Sequence, residues 1–369
     1  MTLALTRLRH QRLVGPGLES PSAVVRWLGA VQSQDYAGAT WALALRCSGA
    51  TSDSINAAFD AGRVLRTHVM RPTWHFVAPE DIRWLLSLTS PRVHAVNGFV
   101  YRSVELDEAM LRRTARLIRR ALQGGQSRTR LELAAALEKG GVPASGLRLS
   151  YLVMHAELNA LICSGPMRGK QHTYMLLEER VPPAPSLKRD EALAILAGRY
   201  FTSHGPASVH DFAWWSGLTV ADARAGLEAV KSSLENVVVE GKTYWAAEPP
   251  RKSSRRKSGA SDVNGMPVMH LLSNYDEHVV AYRDHGHTMD PEARETLHTR
   301  GNGALAVHLI ARNGLVVGGW RRTIERTQAT IATQLLAPLT AQEKKAMTAA
   351  AEEYGRFLNL PVTLATGRA

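Results

Sequence analysis

Val24, Trp27, Leu28 and Val31 fall at i, i+3, i+4 and i+7, the spacing of one buried stripe on a helix, and Ser20-Pro21 supplies an N-cap followed by proline in the first turn. Residues 51–62, TSDSINAAFDAG, predict a second helix, capped by Ser or Thr and stopped at Gly62. In VLRTHVMRPTWHFV, residues 64–77, β-branched and aromatic residues crowd together around a break at Arg71-Pro72, which predicts a strand pair around a turn. Helices followed by a hairpin describe a winged helix-turn-helix.

The pattern recurs. SRTRLELAAALEK (127–139) and GLRLSYLVMHAELNALI (146–162) predict two helices, and CSGPMRGKQHTYMLL (163–177) a short hairpin. After the Pro-rich VPPAPS at 181–186, GPASVHDFAWWSG and TVADARAGLEAVKSSL again predict helices, with NVVVEGKTYWAA as a hairpin turning at Gly241-Lys242. Three weakly similar copies suggest tandem units. Beyond a low-complexity basic stretch, 251–265, the pattern changes. PVMHLLSNYDEHVVAYRD and LAVHLIARNGLVVGGWRRT predict strands with turns at Asn274 and Asn313-Gly314, and a helix from Thr340 to about Leu358 follows. The expected fold is therefore α+β and mainly helical. Three winged-helix units, at 1–105, 106–186 and 187–250, precede a C-terminal β-containing module at 251–369.

Length agrees with several domains, since 369 residues exceed what one hydrophobic core supports. Charge adds a partner. Lys plus Arg number 45 against 33 Asp plus Glu, a net charge of +12, which favours a polyanion such as nucleic acid over an acidic or neutral ligand. The two cysteines, Cys47 and Cys163, are in no metal-ligand or redox spacing, which fits a reducing compartment. No segment reaches the length of a membrane span, and MTLALTRLRHQRLVG lacks the uninterrupted apolar core of a signal peptide. These features predict a cytoplasmic bacterial protein that associates with the nucleoid through DNA and has no membrane partner.

Familiar cofactor motifs are not formed. GPMRGKQ, residues 165–171, is one residue short of a phosphate loop and lacks the Ser or Thr after its lysine, and GNG at 301–303 lacks the third glycine of a dinucleotide site. Fourteen histidines occur without a His-Glu-x-x-His pattern, so neither a metal nor another cofactor is expected. The stretch from Met110 to Arg130 instead carries seven arginines and no acid: Arg112, Arg113, Arg116, Arg119, Arg120, Arg128 and Arg130. On a helix, residues 112, 116, 119 and 120 oppose Leu111, Leu117, Ile118 and Leu122, an arrangement suited to a phosphate backbone or to a solvated face. In RPTWHFV, strand alternation puts Arg71, Thr73 and His75 on one side, a face for nucleic acid or a reacting base with Arg71 as a DNA contact, and the aromatic Trp74 and Phe76 on the core side.

The segment RWLGAVQSQDYAG, residues 26–38, closes the first helix with Gln32 and Gln34. On a continuing helix the two would stand about 200° apart. On an extended segment they share a side, where two amides, each with an acceptor oxygen and two donor hydrogens, can hold and orient one water. A polar helix end is the plain alternative.

AVQSQDYAG after an early helix, LRTHVMRPTWHFV as the hairpin, LLSNYDEHVVAYRD and GGWRRT near the C-terminus, and three winged-helix units together resemble the AlkZ-like winged-helix DNA glycosylases, which include enzymes that unhook interstrand crosslinks. The resemblance spans nearly the whole chain, and Gln-x-Gln is its most specific element. It implies that Gln32 and Gln34 are catalytic, with Asp35, Thr73 and His75 as possible supporting residues, and that the winged units line a basic concave surface for duplex DNA. The middle residue of the motif is typically apolar in the family; here it is Ser33. The implied reaction is hydrolysis of the N-glycosidic bond of an alkylated purine, N7-alkylguanine or a bulkier adduct, by a monomer acting on double-stranded DNA. With no lysine in the motif to form a Schiff base, an abasic site without strand cleavage is expected. A non-catalytic winged-helix regulator would use the basic helices equally well but has no need of Gln-x-Gln.

Overall fold

A computed structural model of the chain describes residues 2–247, 267–289 and 308–366; the basic stretch 251–265 and the GNG at 301–303 lie outside the described residues. The first part runs α1 (Leu3–His10), α2 (Pro21–Leu28), β1 (Val31–Gln32), α3 (Tyr36–Ala44), α4 (Ser52–Asp60), β2 (Leu65–Val69) and β3 (Arg71–Val77). Next come α5 (Ile82–Ser103), α6 (Glu108–Leu122), β4 (Arg128–Thr129), α7 (Arg130–Lys139), α8 (Gly146–Leu158), β5 (Ile162–Ser164), β6 (Thr173–Leu176) and α9 (Leu177–Arg180). A third part follows with α10 (Arg189–Ser203), α11 (Val209–Ser216), α12 (Val220–Val230), β7 (Leu234–Val239) and β8 (Lys242–Ala247). Then come β9 (Met269–Ser273), α13 (Glu277–Val280), β10 (His308–Arg312), β11 (Leu315–Ile324), β12 (Ala329–Leu335), α14 (Ala341–Leu358) and β13 (Val362–Thr366).

One topology occurs three times: a short strand, two helices, then a hairpin whose second strand pairs with the first strand. It gives the sheet β1-β3-β2 around α3 and α4, and the sheet β4-β6-β5 around α7 and α8. In the third copy the bridge between Ala207 and Trp245 replaces the first strand, ahead of α11, α12 and the β7-β8 hairpin. The helix starts follow their caps, with Thr51, Thr129 and Ser208 each forming a reciprocal capping box. In the first copy the helix pair is α3 and α4, so the expected partner of the 51–62 helix, α2, lies outside the repeat. Every residue of α3 from Gly38 to Ala44 is buried, and a helix apolar on all sides has no stripe to reveal it.

The C-terminal sheet has the order β13-β12-β11-β10-β9, antiparallel apart from the β12-β13 pair. Leu271, Ile310, Trp320 and Ile331 share a core with Val24, Trp41, Phe59 and Phe76 of the first part and with Met347, Tyr354 and Phe357 of α14. Leu272, Leu309 and Val316 pack instead with Leu8 of α1. Residues 277–280 form a helical turn, not the second strand expected after Asn274. Asp276 caps that turn at the His278 N–H and pairs through both oxygens with Arg46, at 2.7 and 2.9 Å, so a fully buried ion pair fastens the turn to the end of α3. The hairpin turn before β3 is at Met70 (φ 66°), which leaves Arg71 and Pro72 inside the strand.

Candidate active site

Helix α2 ends where Gly29 adopts φ 83° and its N–H returns to the Val25 carbonyl. The chain is then extended through Val31 and Gln32 and bends at Gln34 and Asp35. Val31 pairs with Phe76 and Gln32 with His75 in an antiparallel ladder, and the Ser33 N–H donates to the Trp74 carbonyl at 2.7 Å. Gln32 is 7% exposed and Gln34 is exposed. Arg71 donates from Nη2 to Gln32 Oε1 at 2.8 Å; arginine has no acceptor, so this contact fixes which end of the amide faces it. Gln34 Oε1 accepts a long bond, 3.4 Å, from the Trp74 N–H. Each amide oxygen keeps a second acceptor position, and both side chains are oriented by donors of the same strand, β3.

The backbone of Gln32 is held from the other direction by a carboxylate that the sequence pattern did not reveal. Glu277, the first residue of α13, is 0% exposed; its Oε1 accepts the Gln32 N–H at 2.8 Å and its Oε2 accepts the Trp215 Nε1–H at 2.9 Å, with His204 Nε2 at 3.4 Å. Burial opposes ionisation of Glu277, but contacts with His204 and the Gln32 N–H, with His75 nearby, outweigh it and hold the carboxyl below its ordinary value. Burial lowers the pKa of His204, whose Nδ1 meets the Ser203 hydroxyl at 2.8 Å. Nothing local marks Glu277, because its partners lie far away in the chain.

The supporting residues divide. His75 is fully buried behind the ladder, donating from Nδ1 to the Thr73 carbonyl at 3.0 Å; burial and the Arg71 charge push its pKa down to about 3, and it is neutral at pH 7. Strand alternation therefore does not give it an open face, since the far side of β3 is covered as well. Thr73 is half-buried, and its hydroxyl has no partner among the described residues. Asp35 holds the N-cap position of α3 without a capping bond, its carboxylate lying over Gly38 and beside Ser273, toward the C-terminal sheet. Trp74 is half-buried between the Arg66 guanidinium and the His68 ring, each at 4.3 Å. Ser33 is buried with its hydroxyl unpartnered among the described residues, and its carbonyl accepts from Arg66 Nε at 3.1 Å.

The seven arginines stand apart from these amides. Thr114, Ile118 and Leu122 bury one side of α6 in the core of the second copy, leaving Arg112, Arg113, Arg116, Arg119 and Arg120 exposed. The counter-charges missing from the local sequence are partly supplied elsewhere: Arg112 pairs with Glu108 and Arg119 with Glu178. Arg113 donates to the Gly140 carbonyl and Arg130 to Ser150, while Arg128 is half-buried in β4. Arg116 and Arg120 form no ion pair among the described residues. No group of three or more His, Cys, Asp or Glu among the described residues is arranged to hold a metal ion.

Residues 25–357 match the family described as DNA glycosylase AlkZ-like. Among solved structures, the Streptomyces sahachiroi DNA glycosylase AlkZ aligns over 98% of this chain and 98% of its own, with a TM-score of 0.75 at 21% identity, a likeness of fold. No curated protein sequence matches the chain.

Proposed function

This chain belongs to the AlkZ-like DNA glycosylase family, and we propose that within it the protein is a monofunctional alkylpurine glycosylase whose hydrolysis is carried by Gln32 and Gln34. As a DNA glycosylase it acts on the N-glycosidic bond of DNA. The observation that carries the finer reading is the Gln-x-Gln segment, whose two amides are oriented by Arg71 and the Trp74 N–H and whose Gln32 N–H is held by buried Glu277. We take the repeated strand, helix pair and hairpin as tandem winged helices that present the site and the α6 arginines to duplex DNA.

A purine alkylated at N7 carries a positive charge and leaves without a strong general acid. As the bond from C1′ to N9 breaks, its electron pair neutralises the base and the positive charge passes to the sugar as an oxocarbenium ion. The amide oxygens of Gln32 and Gln34 then hold a water whose oxygen attacks C1′, and the proton it sheds passes to solvent. Amides position the water without titrating, so the chemistry depends on orientation more than on basicity. The product is an abasic site. Duplex containing 7-methylguanine, incubated with the protein and then treated with heat and alkali, will break at the lesion; strands that stay intact after this treatment would reject the alkylpurine reading.

A further inference from the structure

Trp214 is 49% exposed on α11, although its neighbours Phe212 and Trp215 are buried. A large indole left half in water is an unusual use of apolar surface, and this one is fixed in place. Its Nε1–H donates to the Val280 carbonyl at 3.1 Å, at the end of the helical turn that begins with Glu277. The Arg71 guanidinium lies 6.0 Å from its ring centroid, and the same guanidinium holds the amide of Gln32. Helix α11 is also locked to the hairpin: Gly217 takes φ 68° at its C-terminus, where a Cβ would stand 2.1 Å from the Met70 carbonyl oxygen. The two elements that fix Gln32, the β2-β3 hairpin and the 277–280 turn, therefore also fix this ring.

We propose that Trp214 is the stacking contact for a purine base displaced from the DNA duplex, on the ring face that the Arg71 guanidinium does not cover. The proposal rests on the reading that DNA meets this protein on the Gln32–Gln34 side. A rigid indole offers a flat face to a base at little entropic cost. A purine held against Trp214 is held beside Gln32 through Arg71, so the contact ties recognition of an unstacked base to the hydrolytic residues.

The test uses binding alone, with the full chain and two duplexes: one carries 2-aminopurine opposite thymine, the other the same base opposite a tetrahydrofuran gap that leaves it unpaired. The protein should bind the unpaired-purine duplex about 5- to 100-fold more tightly, the range for one base on one aromatic side chain, with a change in 2-aminopurine emission on binding. Trp214→Ala should remove most of that preference and leave the affinity for the paired duplex unchanged. Trp214→Phe, which keeps a ring, should retain most of it; Trp214→Leu, which keeps bulk without a π-face, should lose it. No preference in the unaltered protein, an undiminished preference in the Ala and Leu variants, or an equal loss on both duplexes would overturn the proposal. Excision of 7-methylguanine is scored separately. A protein that shows the Trp214-dependent preference but excises nothing contradicts the proposed reaction alone, and one that excises without the preference contradicts the stacking contact alone.

Discussion

Replacing Glu277 by Gln tests whether a buried negative charge anchors the Gln-x-Gln segment. The side chain is fully buried and keeps its length in the variant, so the change is one of hydrogen-bonding capacity and charge. The carboxylate accepts at both oxygens, from the Gln32 N–H at 2.8 Å and the Trp215 Nε1–H at 2.9 Å. A glutamine has one acceptor oxygen, so either orientation turns its NH2 toward one of these two donors. One bond to a charged acceptor, of about 1.5–3 kcal/mol, is lost, and a buried N–H is left unpaired at about 1–3 kcal/mol, two costs that overlap. The net destabilisation should be about 2–4 kcal/mol. Urea unfolding followed by tryptophan fluorescence measures it directly. Single-turnover excision, at a temperature where the variant is folded, should fall at least about tenfold if the backbone of Gln32 is released, since about 1.4 kcal/mol of lost positioning suffices. A variant with the parent's unfolding midpoint and excision rate would refute the anchoring role, and one that loses stability but excises normally would limit Glu277 to folding.

Asp276→Ala should cost about 3–5 kcal/mol in the same unfolding experiment, because it strands the buried Arg46 charge; a loss below about 1 kcal/mol would contradict the buried pair. Acid should destabilise the fold early. His75 and His278, with pKa values lowered from 6.5 to about 3 and about 4 mainly by burial, stay neutral in the folded state, while the unfolded chain takes up protons below about pH 6.5. Stability is thus fully present above that pH and is lost as pH falls toward 4, by up to about 1.36 kcal/mol per pH unit for each group, so a urea midpoint unchanged between pH 7 and 5 would count against it. Affinity for undamaged duplex should fall with salt at a log–log slope of about −5 to −7, reduced by roughly one unit for each of Arg116→Ala and Arg120→Ala; a slope near zero would remove the DNA surface.

Local signals were legible where one residue type does one local job. The start of α2 was readable from Ser20-Pro21 and an amphipathic stripe, and the start of α14 from Thr340, whose side chain accepts the Glu343 N–H. The Gln32 and Gln34 spacing was readable as a shared side on extended chain; the structure extends the chain through Gln32 and bends it at Gln34, with Gln32 buried and Gln34 exposed. Long-range pairing was not legible. Glu277 contacts a residue 245 positions earlier and reads in EHVV as an ordinary surface acid, and Asp276 finds Arg46 across 230 positions. For the same reason the arginine run on α6 looked uncompensated, because Glu178 reaches Arg119 from 59 positions away. His75 was misplaced by alternation alone, which distinguishes the faces of a strand but not how many are covered.

In the proposed reaction Gln32 and Gln34 carry the hydrolysis and contribute little to DNA affinity. Single-turnover excision of 7-methylguanine by Gln32→Ala and Gln34→Ala, with a duplex-binding titration and an unfolding curve for each, tests it most directly. Losing one preorganised polar contact should slow excision about a hundred- to a thousandfold, roughly 3–4 kcal/mol, with duplex binding close to that of the parent; stability should be unchanged in Gln34→Ala and fall by about 1–3 kcal/mol in Gln32→Ala, which takes the acceptor from Arg71. If both amides hold one water, the double variant should lose less than the product of the single losses. Excision at the parent's rate in both single variants would contradict this role and leave the two glutamines as hydrogen-bonding partners of β3 alone.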